Sequence, residues 1–335
     1  MRQFYQQLAT LPPEQRALFE KKLAAKGLEK GLKAVGSSPI PARPNNQPVP
    51  LSFAQQRLWF VQQLDPQNTA YNVASVLELQ GDLNISALEK CLTALVERHE
   101  TFRTHFELRT TESGEQQPVQ IVAEPQLVRL ELDNLCSADN LHATAEKKIQ
   151  ALTQKPFDLA QPLLRVALLQ IAVNSCFLVL TTPHIISDRW SVMVFLREMT
   201  LLYRAYSQGQ PSPLEPLKVQ YADWAIWQRQ QIQGEKLAQQ IDYWKTQLSG
   251  ELPVLDLPVD RANGAHATYS GSQYPLTLSP ELSNLLKALS AQHQVTLFTM
   301  LLTAFKVLHQ RYTCSDDIVV GSDIENRDRT ETEGL

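Results

Sequence analysis

The chain has 335 residues, 43% of them hydrophobic and 20% charged, with a formal net charge of −4. That is room for two ordinary domains of a globular protein, with no basic excess to suggest nucleic-acid binding. No apolar run approaches membrane-spanning length, and the N-terminus lacks a signal peptide's apolar core and cleavage site, so a cytoplasmic protein without membrane attachment is expected. Residues 1–35 are predicted helical, with Leu8, Leu11, Leu18, Phe19, Leu23 and Leu28 as apolar positions and Pro12-Pro13 before Glu14 as a start signal. Arg2, Arg16, Lys21, Lys22, Lys26, Lys30 and Lys33 make this segment basic. It reads either as a solvated helix or as a docking helix that meets a partner. Five prolines between Pro39 and Pro50 mark residues 36–50 as an extended linker.

The globular part is expected from Leu51. Ser52 is a candidate N-cap for a short helix through Phe60, and residues 71–80 alternate as a strand. Ser86 and Glu89 form a capping-box pair, opening a helix with Leu88, Cys91, Leu92, Leu95 and Val96 on one face. It ends at Arg98-His99-Glu100. Phe102, Thr104, Phe106 and Leu108 alternate as a strand with Arg103 on the opposite parity, and residues 118–123 give another. Residues 139–154 form a helix. Residues 163–171 and 176–182 read as strands of a hairpin around Asn174. This mixed order predicts an α/β (α+β) sandwich with helices on one face of a mixed sheet. No glycine-rich phosphate loop is present.

Pro211, Pro213 and Pro216 mark a second break, giving regions 51–215 and 216–335. In the second, residues 219–231 and then 232–248 are predicted helical, 252–267 a loop, and 273–278 a strand. Ser279 with Pro280 opens a further helix, and residues 296–312 form an apolar one. Residues 318–321 read as a strand, followed by a polar run over 326–334. That is a thin sheet for so much apolar helix. The cysteines (Cys91, Cys136, Cys176, Cys314) lack metal-ligand spacing, and three lie in apolar contexts expected to bury them as free thiols, so no metal site is expected.

The stretch from Thr181 to Ser191 holds the candidate chemistry. The apolar strand Cys176–Leu180 leads into it and a helix with Val192, Phe195, Leu196, Met199 and Leu202 leads out. His184 and Asp188 therefore sit at a strand end, where a rigid element fixes side chains and a turn leaves them reachable. A lone histidine in such a place is by itself more often a packing residue than a catalyst.

Four stretches in order resemble the condensation domain of nonribosomal peptide synthetases, in the chloramphenicol-acetyltransferase-like superfamily. Ser52 to Phe60 (SFAQQRLWF) is similar to SxAQxRLWF, and Arg98 to Phe106 (RHETFRTHF) to RHExLRTxF. His184 to Asp188 resembles the latter part of HHxxxDG, and Tyr221 to Gln228 (YADWAIWQ) resembles YxDYAxWQ. The resemblance implies two sandwich lobes in a V shape, meeting along a tunnel, the second lobe incomplete because the chain is C-terminally truncated relative to the family. It implies acyl transfer with amide-bond formation, between a donor acyl or peptidyl thioester and an acceptor aminoacyl group. Both are held on peptidyl carrier domains by 4'-phosphopantetheine, so the domain needs no cofactor of its own. An upstream synthetase subunit is the candidate partner of the N-terminal helix, and secondary metabolism the setting.

Carried over residue by residue, His184 is the catalytic residue. It serves either as general base toward the acceptor amine or as the group that positions the amine and stabilises the tetrahedral intermediate. Asp188 is structural, expected to pair with Arg103 or Arg261 through a charge-assisted hydrogen bond. Arg57, Arg98, Trp224 and Trp227 are expected to pack. The chain departs from the motif at two positions. Pro183 replaces the first histidine. Arg189 replaces the glycine, either snorkelling to solvent or standing as a gate that fills the tunnel. The alternative implied by these departures is a degenerate, non-catalytic module that binds carrier or partner proteins. A soluble-donor acyltransferase of the same superfamily is disfavoured by the condensation-type motifs.

Overall fold

A computed structural model describes residues 39–44, 48–137, 139–258, 274–322, 324, 326–327 and 329–335. The expected helix over 1–35, residues 36–38 and 45–47 of the expected linker, and Arg261 lie outside these. The chain divides into two compact units, one built mainly from Asn72–Gln231 with the segments up to Pro66 and after Ile324, the other mainly from Ile232–Ile324.

The first unit holds all the strands found among the described residues. A three-stranded sheet has the order β1 (Val49–Pro50), β4 (Gln116–Val122), β3 (Thr104–Thr110). A four-stranded sheet has the order β2 (Asn72–Gln80), β7 (Ser175–Pro183), β6 (Arg165–Ala172), β5 (Leu132–Asn134). In the larger sheet β7 pairs antiparallel with β2 over its whole length, from Asn72 opposite Pro183 to Gln80 opposite Ser175. It turns back from β6 as the expected hairpin, while β5 joins parallel to β6.

Helices cover both faces of this sheet, not one. Leu178 and Leu180 of β7 meet α2 (Ile85–Arg98) and α4 (Arg189–Ser207) through Leu88, Leu92, Leu95, Phe195 and Leu202. Val179, of opposite parity, meets Ala145 and Ile149 of α3 (Leu141–Thr153) on the other side. Residues 178–183 are accordingly all buried, which explains why they read as a continuous apolar run. Burying one leucine side chain contributes roughly 2 kcal/mol, so this central strand is the strongest anchor in the unit.

Local signals place the helices with two corrections. α1 (Phe53–Leu64) starts at Ser52 with a full capping box to Gln55, as expected. α2 is capped by Asn84, whose side chain accepts from the Ala87 backbone, so the Ser86–Glu89 pair is not a cap. Glu89 instead accepts from the Leu130 backbone at 2.9 Å. The residues Glu100–Arg103 form a 3₁₀ turn, and β3 begins only at Thr104, leaving Phe102 and Arg103 outside it. Cys91 and Cys176 are buried free thiols, but Cys136 and Cys314 are exposed. Burial pushes the Cys91 thiol up to about 12, which leaves it inert as a nucleophile.

The two compact units divide after Gln231. Helix α5 (Tyr221–Gln231) buries Ala222, Asp223, Trp224 and Ala225, and Val219 and Trp224 pack on Ile40 in the first unit. The chain then breaks before α6 (Gly234–Gln247), at Gly234 with φ of +58°, so residues 219–248 hold two helices. The second unit contains α6, α7 (Pro280–Gln292, capped by Ser279) and α8 (Leu297–Thr313, capped by Thr296). Residues 274–278 and 318–321 belong to no strand or ladder among the described residues, so neither expected strand is found there.

Candidate active site

The centre of the site is a turn that holds one imidazole outward while anchoring everything around it. β7 ends at Pro183, where its missing N–H costs little because the ladder stops there. The Pro183 carbonyl then accepts from the Ile186 N–H at 3.1 Å, closing a tight turn with His184 and Ile185 at its centre. Ile185 and Ile186 sink into a cluster with Leu51, Phe106, Phe157 and Leu163. His184 alone of residues 181–187 is exposed. Its ring makes no hydrogen bond or ion pair with any described residue, so both nitrogens are available to a substrate.

Three sets of contacts hold the turn. The Thr182 and Ser187 hydroxyls hydrogen-bond across it at 2.6 Å, both buried. Gln55, from the first motif, donates to the Ile185 carbonyl at 3.4 Å. Asp188 is the N-cap of α4, accepting from the Ser191 N–H at 2.8 Å and the Ser191 hydroxyl at 2.7 Å. A carboxylate at that end also favours the helix dipole.

Asp188 takes an arginine partner, and among the described residues it is Arg327 rather than the expected Arg103. Arg327 grips it with both terminal nitrogens, at 2.9 Å to Oδ2 and 3.2 Å to Oδ1. The same guanidinium donates to the Leu335 carbonyl at 2.9 Å, and Trp190 donates through Nε1 to the Glu333 carbonyl at 2.9 Å. Arg327 and residues 329–335 therefore form a strap across the start of α4. Arg103 is occupied elsewhere. It closes the 3₁₀ turn, donates to the Ala123 carbonyl at 2.5 Å and lies 3.8 Å from Glu100. Arg189 is the first residue of α4 and is exposed, with no ion pair to a described residue.

The other motifs meet in a buried polar frame beside this turn. Glu198 of α4, almost fully buried, accepts from Arg98 Nε at 3.0 Å and lies 2.7 Å from His99 Nε2. Burial alone would raise its carboxyl, but the hydrogen bonds and charges of His99 and Arg98 outweigh that and hold it below the usual carboxylate range. Arg43 bridges Glu100 at 2.8 Å and Asp223 at 3.0 Å. Tyr221 is hydrogen-bonded to the Ser52 hydroxyl at 3.0 Å, and burial raises its phenol. Trp224 is buried and Trp227 carries Arg329 over its ring at 4.7 Å, whereas Arg57 is exposed rather than packed. Among the described residues no three His, Cys, Asp or Glu side chains gather as metal ligands, and no helix is long and apolar enough to cross a membrane.

A family model described as "Condensation domain" matches residues 45–335. A component protein of the linear gramicidin synthase of Brevibacillus parabrevis is 42% identical over 96% of this chain, which corresponds to 6% of that protein. Phosphinothricin tripeptide synthetase PhsC of Streptomyces viridochromogenes is 39% identical over 98% of this chain and 30% of its own length. The chain thus spans less than a third of the curated relatives it matches. Among solved structures, the X-domain from teicoplanin biosynthesis superposes with a TM-score of 0.71 at 25% identity, covering 87% of this chain and 64% of that one. The first condensation domain of the CDA synthetase shares the fold, with a TM-score of 0.64 at 20% identity over 81% of this chain and 64% of that one. With the four motifs gathered around one turn and the model matched from residue 45 to the last residue, the chain belongs to the condensation-domain family of nonribosomal peptide synthetases.

Proposed function

We propose that this chain forms amide bonds between two carrier-bound residues, with His184 as the catalytic residue. The acceptor amine nitrogen attacks the donor thioester carbonyl, a C–N bond forms, the C–S bond breaks and the thiol of the donor arm leaves. The proton lost by the amine ends on that thiol, and an exposed imidazole at a pinned strand end is suited to relay it or to hold the amine while it attacks. The observation that carries this reading is the contrast within the turn: every neighbour of His184 from Thr181 to Ser187 is buried, and His184 is exposed. Both substrates come on 4'-phosphopantetheine arms of donor and acceptor carrier domains, so the domain supplies no cofactor. Asp188 with Arg327 keeps the turn in place, Arg189 stands beside it as a gate, and the basic segment 1–35 docks an upstream synthetase subunit. The reaction is intracellular, as its carrier-bound substrates require. The test is condensation between a loaded donor and a loaded acceptor carrier, run with the parent chain and His184→Ala. Product from the parent and a collapse in the variant support the reading, and equal product from both removes His184.

Two observations favour a second reading, a non-catalytic module that binds a partner. Pro183 and Arg189 stand where the family motif has histidine and glycine, and one solved structure similar to this chain, at a TM-score of 0.70 and 25% identity, is the X-domain of teicoplanin biosynthesis in complex with OxyB. An Arg189→Gly variant separates the two. Activity gained from an inactive parent supports a blocked site. An inactive parent that stays inactive favours the binding module.

A further inference from the structure

A cavity of about 30 Å³ lies behind the His184 turn, wholly within the first unit, between the sheet and the first turns of α4. Val73 of β2, Leu164, and Val192 and Phe195 of α4 supply apolar walls. Val73 sits opposite Thr182 in the β2–β7 ladder, so this wall adjoins the end of the strand that carries the turn. Thr182, Ser187 and Ser191 also line the space, and their hydroxyls are already engaged. Thr182 and Ser187 bond each other at 2.6 Å, while Ser191 donates to Asp188 at 2.7 Å and accepts from Arg327 at 3.0 Å. Ser75 adds one further hydroxyl, but six of the ten lining residues, Val73, Phe102, Leu164, Leu180, Val192 and Phe195, are apolar, so the space suits an apolar group of about one or two carbons.

We propose that this cavity is a side-chain pocket for the substrate, taking a small aliphatic substituent of alanyl or 2-aminobutyryl size on one of the two residues being joined. The inference rests on the condensation reading for its chemistry. Its location supports it, because Thr182 and Ser187, which line it, are the residues that close the turn around His184. A methyl that fills the pocket separates alanyl from glycyl substrates, and a ring the size of phenylalanine's is excluded.

The probes are glycyl-, alanyl-, valyl- and phenylalanyl-pantetheine amides, which carry the side chain but have no thioester to react, titrated into the whole chain by calorimetry. The alanyl probe should bind about 10-fold tighter than the glycyl one, the usual effect of one methyl group in an apolar pocket. Val192→Phe fills the space and should erase that preference while glycyl binding persists. Val192→Ala enlarges it and should shift the preference to the valyl probe. Equal binding of glycyl and alanyl probes by the parent, or one unchanged order in the parent and Val192→Ala, overturns the pocket. Condensation assays with the side chain placed on the donor or on the acceptor identify which residue uses it, since only that arm responds to the Val192 variants. If the probes are discriminated but no amide forms, the condensation reading fails and the pocket stands. Amide formation without side-chain discrimination gives the reverse.

Discussion

Helices α4 and α8 are built alike and lie in different surroundings. Each opens on a capping side chain, Asp188 or Thr296, and each carries an apolar stripe at helical spacing. α4 buries Val194, Phe195, Met199 and Leu202, whereas α8 has no buried residue and leaves Phe298, Phe305 and Tyr312 about half exposed or more. The difference is the sheet. α4 lies against β7, whose even-numbered residues form a ready apolar surface, while the described neighbour of α8 is another helix, α7. Periodicity makes a segment helical, but burial requires a facing surface, and most helical stability comes from that burial. The candidate site belongs to the region that has it: strand, turn and helix around His184 are fixed at both ends.

Truncation at Leu178, which is completely buried on β7, should break the first unit most strongly. Leu178→Ala is expected to cost about 3 kcal/mol in urea denaturation. Next comes Arg327→Ala, which strands a part-exposed carboxylate at the head of α4. A loss of about 2 kcal/mol is expected, less than for a sealed ion pair because Asp188 keeps some water. Arg327→Lys should recover only part of it, since a lysine lacks the fork that reaches both oxygens.

Glu198 gives a smaller, pH-dependent effect. Its carboxyl is held below the usual range in the folded chain, so its contribution is fully present above the unfolded value near 4.5 and is lost as pH falls through the lower folded value. Thermal melts on acidification below that point should show a drop that is shallower in Glu198→Gln. Smallest of all, Phe305→Ala on α8 should change stability by no more than about 0.5 kcal/mol. A cost equal to that of Leu178→Ala would mean that α8 is as well seated as α4 and would remove the contrast.

Local features with a one-residue physical signal were legible in the sequence. The Ser52 cap, the hairpin at Asn174, the apolar strand through Leu180 and the Ser279-Pro280 helix start each follow from short-range rules. The exposure of His184 was not readable from periodicity, because it depends on Ile185 and Ile186 finding a distant cluster. Arg327 pairs with Asp188 across 139 residues, and in sequence the strap has the composition of a polar tail. Two arginines close together at Arg327 and Arg329, in a segment otherwise acidic and polar, were the available hint. β5 gives no sequence signal because three residues carry too little alternation, and the expected strands after Gln273 and at Ile318 show the converse, alternation without a ladder partner among the described residues.

The central claim is that the exposed imidazole on the pinned turn carries out condensation. Single-turnover amide formation between loaded donor and acceptor carriers, compared for the parent and a His184→Ala variant shown to unfold at the parent's temperature, tests it most directly. The expected result is a fall of about 10²- to 10⁴-fold in the variant, the usual contribution of a positioned acid–base group. Equal rates in the two proteins, or no product from the parent, would contradict it.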